Sequence, residues 1–341
     1  NEWVIDGMEM QSTKLTSAEM GKLWAAYMGN TMGECMLKFY LNHVDDEEIE
    51  GLLENALQLA QSYVGQIRQF FYAADVPIPV GFTDDDVNFQ APRLFEDEFY
   101  LHYLRYLGKA GLSLYSVAVP YMTRKDVRQF FIDCVSNTTQ LLNDVDELLK
   151  KNGSLMNTPE MPAPEQVDFV NKQSFLNDFF GKMRPLHGLE TAHLYGNFHT
   201  DITSKALILG FLQGAKTEEI IKYLRRGKEI NENHMESIST KLNESYVPTP
   251  KLLDHLVTTS TVPTFSEKLM VFHKIDMFSM RIRECANGMS VNGRKDIGAM
   301  FAKHQLTVAA FAEDGANLMI RHGWLEQPPE VIDREQLVSK Q

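Results

Sequence analysis

Apolar side chains recur every three or four residues in eight long stretches of this chain. That spacing places the apolar residues along one face of an α-helix. Polar residues, glycines and prolines interrupt the pattern between the stretches. The pattern therefore predicts eight helices, over residues 16–42, 46–74, 95–119, 124–150, 188–214, 217–245, 266–288 and 294–322.

The last four stretches repeat the first four at an offset of 171 residues. Asp46-Glu47-Glu48-Ile49 aligns with Thr217-Glu218-Glu219-Ile220, and His102 aligns with His273. One deletion after these histidines brings Arg124 onto Arg294. Two unrelated helical domains would share a periodicity but not a sustained register, so the sequence indicates a duplication.

Within each copy, the four predicted helices are joined by a short, a long and a short connection. The long ones, residues 75–94 and 246–265, contain three prolines each and can cross a bundle from end to end. We therefore predict an all-α protein of two tandem ferritin-like four-helix bundles, with a long crossover between the second and third helices of each. Residues 1–152 are the first bundle, 153–185 a linker, 186–325 the second bundle and 326–341 a C-terminal tail.

Several segments resemble one known family. They include Val76-Pro77-Ile78-Pro79-Val80-Gly81-Phe82, Ala91-Pro92-Arg93-Leu94-Phe95 and Gly323-Trp324-Leu325-Glu326. They are similar to the family related to spore coat protein F of spore-forming Gram-positive bacteria, a domain of unknown function. The resemblance covers almost the whole chain in both copies. It implies a ferritin-type fold and a link to the spore or to sporulation, and it implies no established catalytic activity.

Charge and composition narrow the choice of partners. The net charge is −13, so we expect no binding to nucleic acid. No apolar run reaches the roughly 18–20 residues that span a bilayer, which predicts no membrane insertion. Residues 1–6 do not resemble a signal peptide, so we expect a cytoplasmic location, to which the family resemblance adds an association with the spore. The short basic run Arg281-x-Arg283 is interpreted as ion-pair partners on helix faces rather than as a nucleic-acid patch.

Four residues of the second copy are candidate metal ligands. His234, His273, Glu284 and His304 all lie on predicted inward-facing stripes, although the Glu-x-x-His pairs of a di-iron bundle are incomplete. A count of helical rise places all of them except His273 at similar depth. Imidazole and carboxylate groups on facing helices could hold zinc or iron. The competing interpretation is a set of hydrogen-bonded core histidines.

Three functional hypotheses follow. The sequence contains no complete catalytic set, which favours a non-enzymatic structural or interaction protein that self-associates or binds other spore proteins. The first alternative is a metal-binding ferritin-like protein with a His/Glu site in the second bundle. The second is a carrier of a small apolar ligand, suggested by 17 methionines and 20 phenylalanines, which also describe an ordinary core.

Overall fold

All regular secondary structure in the described part of the chain is helical. The computed structural model describes residues 14–176, 183–291 and 293–339. Its α-helices in these ranges are α1 (Ser17–Leu41), α2 (Glu47–Ala73), α3 (Asp97–Ala118), α4 (Lys125–Lys151), α5 (Gly188–Gly214), α6 (Glu218–Asn243), α7 (Glu267–Met289), α8 (Lys295–Arg321) and the short α9 (Arg334–Ser339). The signal-peptide expectation for residues 1–6 and part of the predicted linker, residues 177–182, lie outside the described residues.

The eight long helices confirm the prediction from apolar periodicity. Each begins and ends within about two residues of its predicted limits, which is the usual uncertainty of a helix end. The helices form two four-helix bundles, α1–α4 and α5–α8, with the short, long and short connections expected. No helix of the described residues is both long enough and apolar enough to cross a membrane.

The two long crossovers pair with each other and join the bundles. Antiparallel bridges link Val87 to Phe265 and Phe95 to Val257. The backbone N–H groups of Asn88, Ser266, Glu96 and Thr258 donate to carbonyl oxygens of the opposite crossover at 2.7–3.0 Å. Val87 and Val257 are 170 residues apart, and so are Phe95 and Phe265, so the two bridges are equivalent pairs. A pseudo-twofold axis therefore passes between the crossovers.

The structure corrects the position of the deletion between the copies. Asp75 and Tyr246, which both have a positive φ, are still 171 residues apart. The 3-10 turns at Asp84–Asp86 and Asp254–Leu256 are already 170 apart. The deletion therefore lies inside the crossover, where a loop can absorb one residue; in a helix it would rotate every later side chain by about 100°. The alignment of His102 with His273 is consequently wrong, and Tyr103 is the equivalent of His273.

Helices α3 and α7 lie side by side along the pseudo-twofold axis. Three pairs of equivalent residues meet there, each separated by 170 positions. The Tyr103 hydroxyl is 2.7 Å from His273 Nε2, the Tyr106 hydroxyl donates to Asp276 Oδ2 at 3.4 Å, and the Arg283 guanidinium donates to Ser113 Oγ at 3.0 Å. Side chains of the second bundle thereby reach the wall of the first.

A buried glutamate fastens the first helix of each bundle to the last. Glu19 is fully buried and accepts hydrogen bonds from the N–H groups of Thr16, Thr123 and Arg124 at 2.8–2.9 Å. Burial alone would raise the pKa of this carboxyl, but the hydrogen bonds outweigh it and lower the pKa to about 2. Its equivalent, Glu190, accepts from the Arg294 N–H at 2.6 Å.

Replacing this carboxylate should destabilise the protein in a pH-dependent way. We expect Glu19→Gln to lower the free energy of unfolding by about 3 kcal/mol at pH 7. A lowered pKa in the folded state means that the stabilisation is present above pH 4.5 and is lost as the pH falls towards 2. Denaturant unfolding over a pH series measures this, with the exposed Glu54→Gln as control. A deficit of the same size at every pH would contradict the explanation.

Candidate functional site

The first bundle contains a cavity because its helices present small residues to one another. The cavity has a volume of about 250 Å³. Its small lining residues lie on three helices and are Ala25, Ala26, Gly29, Gly33, Ala56, Ala60, Gly108, Ala110 and Gly111. Most protein interiors are packed without voids much larger than a water molecule, so a cavity of this size is a candidate binding site.

Gly33 shows that this space is open. It lies in the middle of α1 and is buried, yet a Cβ added to it would meet nothing within 4 Å. Gly29, one turn earlier on the same helix, also has nothing within 4 Å. By contrast, a Cβ on Gly227 of the second bundle would lie 2.7 Å from the ring of Phe311. The glycines of α1 therefore leave room, whereas Gly227 allows close packing.

Polar groups are few in the cavity wall. Asn30 Nδ2 donates to the Tyr115 hydroxyl at 2.9 Å, so these two residues satisfy each other. The Tyr63 hydroxyl is buried and has no hydrogen-bond partner among the described residues. The second bundle contributes Asp276 and Arg283 to the same wall, across the seam between α3 and α7. The site thus combines an apolar interior with a small number of polar groups.

The equivalent space of the second bundle is filled by polar side chains. Five small or neutral residues of the first bundle have a larger or charged equivalent there. The pairs are Gly29 with Thr200, Asn30 with Asp201, Gly33 with Ser204, Ala60 with Asn231 and Gly111 with Arg281. One backbone arrangement therefore surrounds a cavity in the first copy and a polar core in the second.

Arg281 and Asp201 form the centre of this polar core. Both are buried, with exposures of 1% and 0%, and they are ion-paired. Arg281 is therefore an ion-pair partner, as predicted, and the face that carries it points into the bundle. A buried charge is tolerated because its partner compensates part of the lost hydration. The sequence contains a signal for this burial. Lys274, Phe278, Arg281 and Cys285 follow each other at helical spacing on one face of α7, and all four are buried.

Ser204 connects a second part of the core. Lys274 Nζ donates to Ser204 Oγ at 2.7 Å, and Asn231 Nδ2 donates to the same oxygen at 2.8 Å. Burial lowers the pKa of Lys274 well below its usual value, with the Asp201 carboxylate opposing the shift. Ser204 is the equivalent of Gly33, so these hydrogen-bonded side chains occupy the volume that is open in the first bundle.

The structure brings two of the four predicted metal ligands into contact. The rings of His234 and His304 stack with centroids 3.8 Å apart and an interplanar angle of 16°. They line a groove of about 760 Å³ between α6 and α8. Arg281 Nη2 lies 3.4 Å from His234 Nδ1, so a guanidinium borders this pair.

Glu284 and His273 are engaged elsewhere. Glu284 Oε1 is 2.7 Å from Lys109 Nζ of the first bundle and accepts a hydrogen bond from Thr200 at 3.1 Å. His273 contacts the Tyr103 hydroxyl on the pseudo-twofold axis. In the described ranges no three His, Cys, Asp or Glu side chains are close enough to hold a metal ion together.

Comparison of the sequence with known families gives a match over both copies. A family described as "Protein of unknown function (DUF3231)" matches residues 4–167 and again residues 174–337. The chain belongs to this family. The expectation of two tandem copies of a domain of unknown function is thereby confirmed, while the chain's relation to ferritins stays a prediction.

Other comparisons add little. A search of curated proteins finds no match. Among solved structures, the chain is similar to a protein of Bacillus halodurans C-125 that has been proposed to be a spore coat protein. The identity is 16%, the TM-score is 0.40, and the match covers 44% of this chain and 98% of that one.

The stacked histidines should make the protein acid-sensitive. Burial, the Arg281 charge and the neighbouring ring lower the pKa of His234 to about 2; burial and Arg281 lower that of His304 to about 3. Their unfolded pKa is near 6.5, so stability is lost as the pH falls below 6.5, by about 2 kcal/mol per histidine at pH 5.

Exchanging both histidines for the residues of the first copy tests this explanation. We expect the double variant His234→Tyr, His304→Cys to lose less stability than the wild type between pH 7 and pH 5, as measured by denaturant unfolding. The exposed His255→Gln serves as control. An unchanged pH slope in the double variant would show that these rings are not the groups that titrate.

Proposed function

We propose that this protein is a non-enzymatic binding protein that holds one small, mainly apolar molecule in the cavity of its first bundle. The observation that carries the proposal is the open space facing Gly29 and Gly33 inside an otherwise packed four-helix core. The structural or interaction role with other spore proteins stays a separate prediction.

The size of the cavity suits a small ligand. It is partly open to solvent, because Gly29, Ala110 and Gly111 in its wall are only half-buried. An apolar cavity of about 150 Å³ is large enough for benzene, so 250 Å³ suits a molecule of roughly ten non-hydrogen atoms. A ligand of that size restores the contacts that the glycines omit.

The expected affinity is modest. Burying 150–250 Å² of apolar ligand surface contributes about 4–6 kcal/mol at 25 cal/mol per Å². The ligand loses translational and rotational freedom on binding, and this cost offsets part of the free energy gained from additional contacts. We therefore expect dissociation constants between about 40 μM and 1 mM for a purely apolar ligand.

Filling the cavity should abolish binding. Butylbenzene should raise the melting temperature of the wild type in a concentration-dependent way. Gly33→Leu places a side chain in the open space and should remove this effect. Gly51→Leu adds the same side chain to an exposed position of α2 and should retain it. Butylbenzene binding that survives in Gly33→Leu, or that is absent from the wild type, would refute the proposal.

Metal binding by His234 and His304 is a second candidate function. It is supported by the contact between two imidazoles whose lowered pKa values keep them neutral and able to bind zinc or iron near pH 7. The bordering Arg281 guanidinium opposes it, because it repels a cation.

Elemental analysis separates the two candidates. Protein purified without added metal should contain stoichiometric zinc or iron if the second candidate is correct, and the His234→Ala, His304→Ala variant should lose it. Wild-type protein with no stoichiometric metal would remove this candidate and leave the cavity proposal unaffected.

A further inference from the structure

Asp276 is half-buried and has fewer partners than the buried acidic residues of the protein. Glu19 accepts backbone hydrogen bonds, and Asp86 accepts one from the Ser266 hydroxyl at 2.6 Å. Asp201 is ion-paired with Arg281, Glu284 with Lys109, and Glu190 with Arg184. Among the described residues, Asp276 has no such ion pair. Its hydrogen bond from the Tyr106 hydroxyl is long, at 3.4 Å.

The position of Asp276 follows from the duplication. Its equivalent in the first copy is Tyr106, the residue it faces across the pseudo-twofold axis. The second copy thus supplies a carboxylate to a cavity formed by the first, and the site requires both bundles. Burial raises the pKa of Asp276, with the Arg283 charge and the Tyr106 hydroxyl opposing the rise.

Arg283 is the other charged group in this wall, and its situation is different. Its side chain is exposed, so water solvates the guanidinium, and it donates to Ser113 Oγ at 3.0 Å. A half-buried carboxylate keeps less of its hydration than an exposed guanidinium, so it gains more from an added partner. This end of the cavity therefore favours a positively charged donor.

We propose that the ligand of the first bundle is a small amine, whose ammonium group pairs with Asp276 while its apolar tail fills the space beside Gly29 and Gly33. This inference rests on the proposed function and adds the chemical class of the ligand. An ammonium group has three donors and no acceptor, which suits a carboxylate whose present hydrogen bond is long. The apolar tail occupies the space beside the glycines, and the ammonium group supplies the partner of the Asp276 carboxylate.

Three probes of similar size distinguish the possible head groups. They are 3-phenylpropylamine, the nearly isosteric hydrocarbon butylbenzene, and 3-phenylpropanoate. Binding of each to the full chain is measured by isothermal titration calorimetry at pH 7.5 and by ligand-induced shifts in melting temperature. We expect the amine to bind at least about tenfold more tightly than butylbenzene, and the carboxylate to bind most weakly.

Asp276→Asn identifies the residue responsible. The variant should bind butylbenzene as the wild type does and should lose the preference for the amine. Glu313→Gln, an exposed acid on α8, is the matched control and should keep that preference. If Asp276→Asn does not fold, the ranking of the three probes on the wild type still decides the question.

The outcomes separate this inference from the proposed function. If butylbenzene binds as tightly as the amine, or if Asp276→Asn keeps the preference, the amine assignment is wrong and the apolar cavity stands. Tighter binding of 3-phenylpropanoate also overturns the assignment and makes Arg283 the partner of the head group. If butylbenzene does not bind to the wild type, the proposed function itself fails, whatever the other two probes do.

Discussion

The parallel contact between α3 and α7 is the constraint on which the rest of the structure depends. It places equivalent residues of the two copies opposite each other, and the paired crossovers above it hold the bundles in one relative orientation. Because the axis runs along these helices, each residue on it faces its own equivalent. A substitution in one copy therefore creates a contact between two different side chains. Asp276 and Tyr106 are such a pair, and so are His273 and Tyr103.

Duplication also allowed the two interiors to diverge on the same backbone. In the second copy, Arg281 and Asp201 compensate each other's charge and occupy the centre of the bundle. In the first, their equivalents are Gly111 and Asn30, and the centre holds a cavity. The polar core depends on ion pairs and hydrogen bonds for its stability, whereas the cavity lacks contacts that a ligand can provide. The two bundles thus share a backbone arrangement and differ in how their centres are filled.

The helices could be predicted from the sequence because apolar periodicity and capping are local properties. Asp46, for example, precedes α2 directly and accepts hydrogen bonds from the N–H groups of Glu48 and Ile49. The location of the deletion could not be predicted, since His102 and His273 match by coincidence in the wrong register. Only the crossover geometry resolves that ambiguity.

The candidate site was harder to predict for a physical reason. His234 and His304 are in contact, in agreement with the count of helical rise, whereas Glu284, predicted at the same depth, pairs with Lys109. The surroundings of the two rings depend on Arg281, whose burial requires Asp201 on another helix. The cavity could not be predicted, because a stripe of glycine and alanine is also typical of close helix packing. Whether such a stripe closes or leaves a space depends on the facing residues, and Ala56 and Ala60 on α2 are small as well.

Xenon binding tests the central claim most directly, because xenon occupies apolar cavities regardless of any head group. We predict that a crystal structure determined under xenon pressure will show a xenon atom beside Gly33 in the first bundle and none at the equivalent position beside Ser204 in the second. Absence of xenon from the first bundle, or equal occupancy in both, would contradict the account of one cavity-bearing and one filled copy.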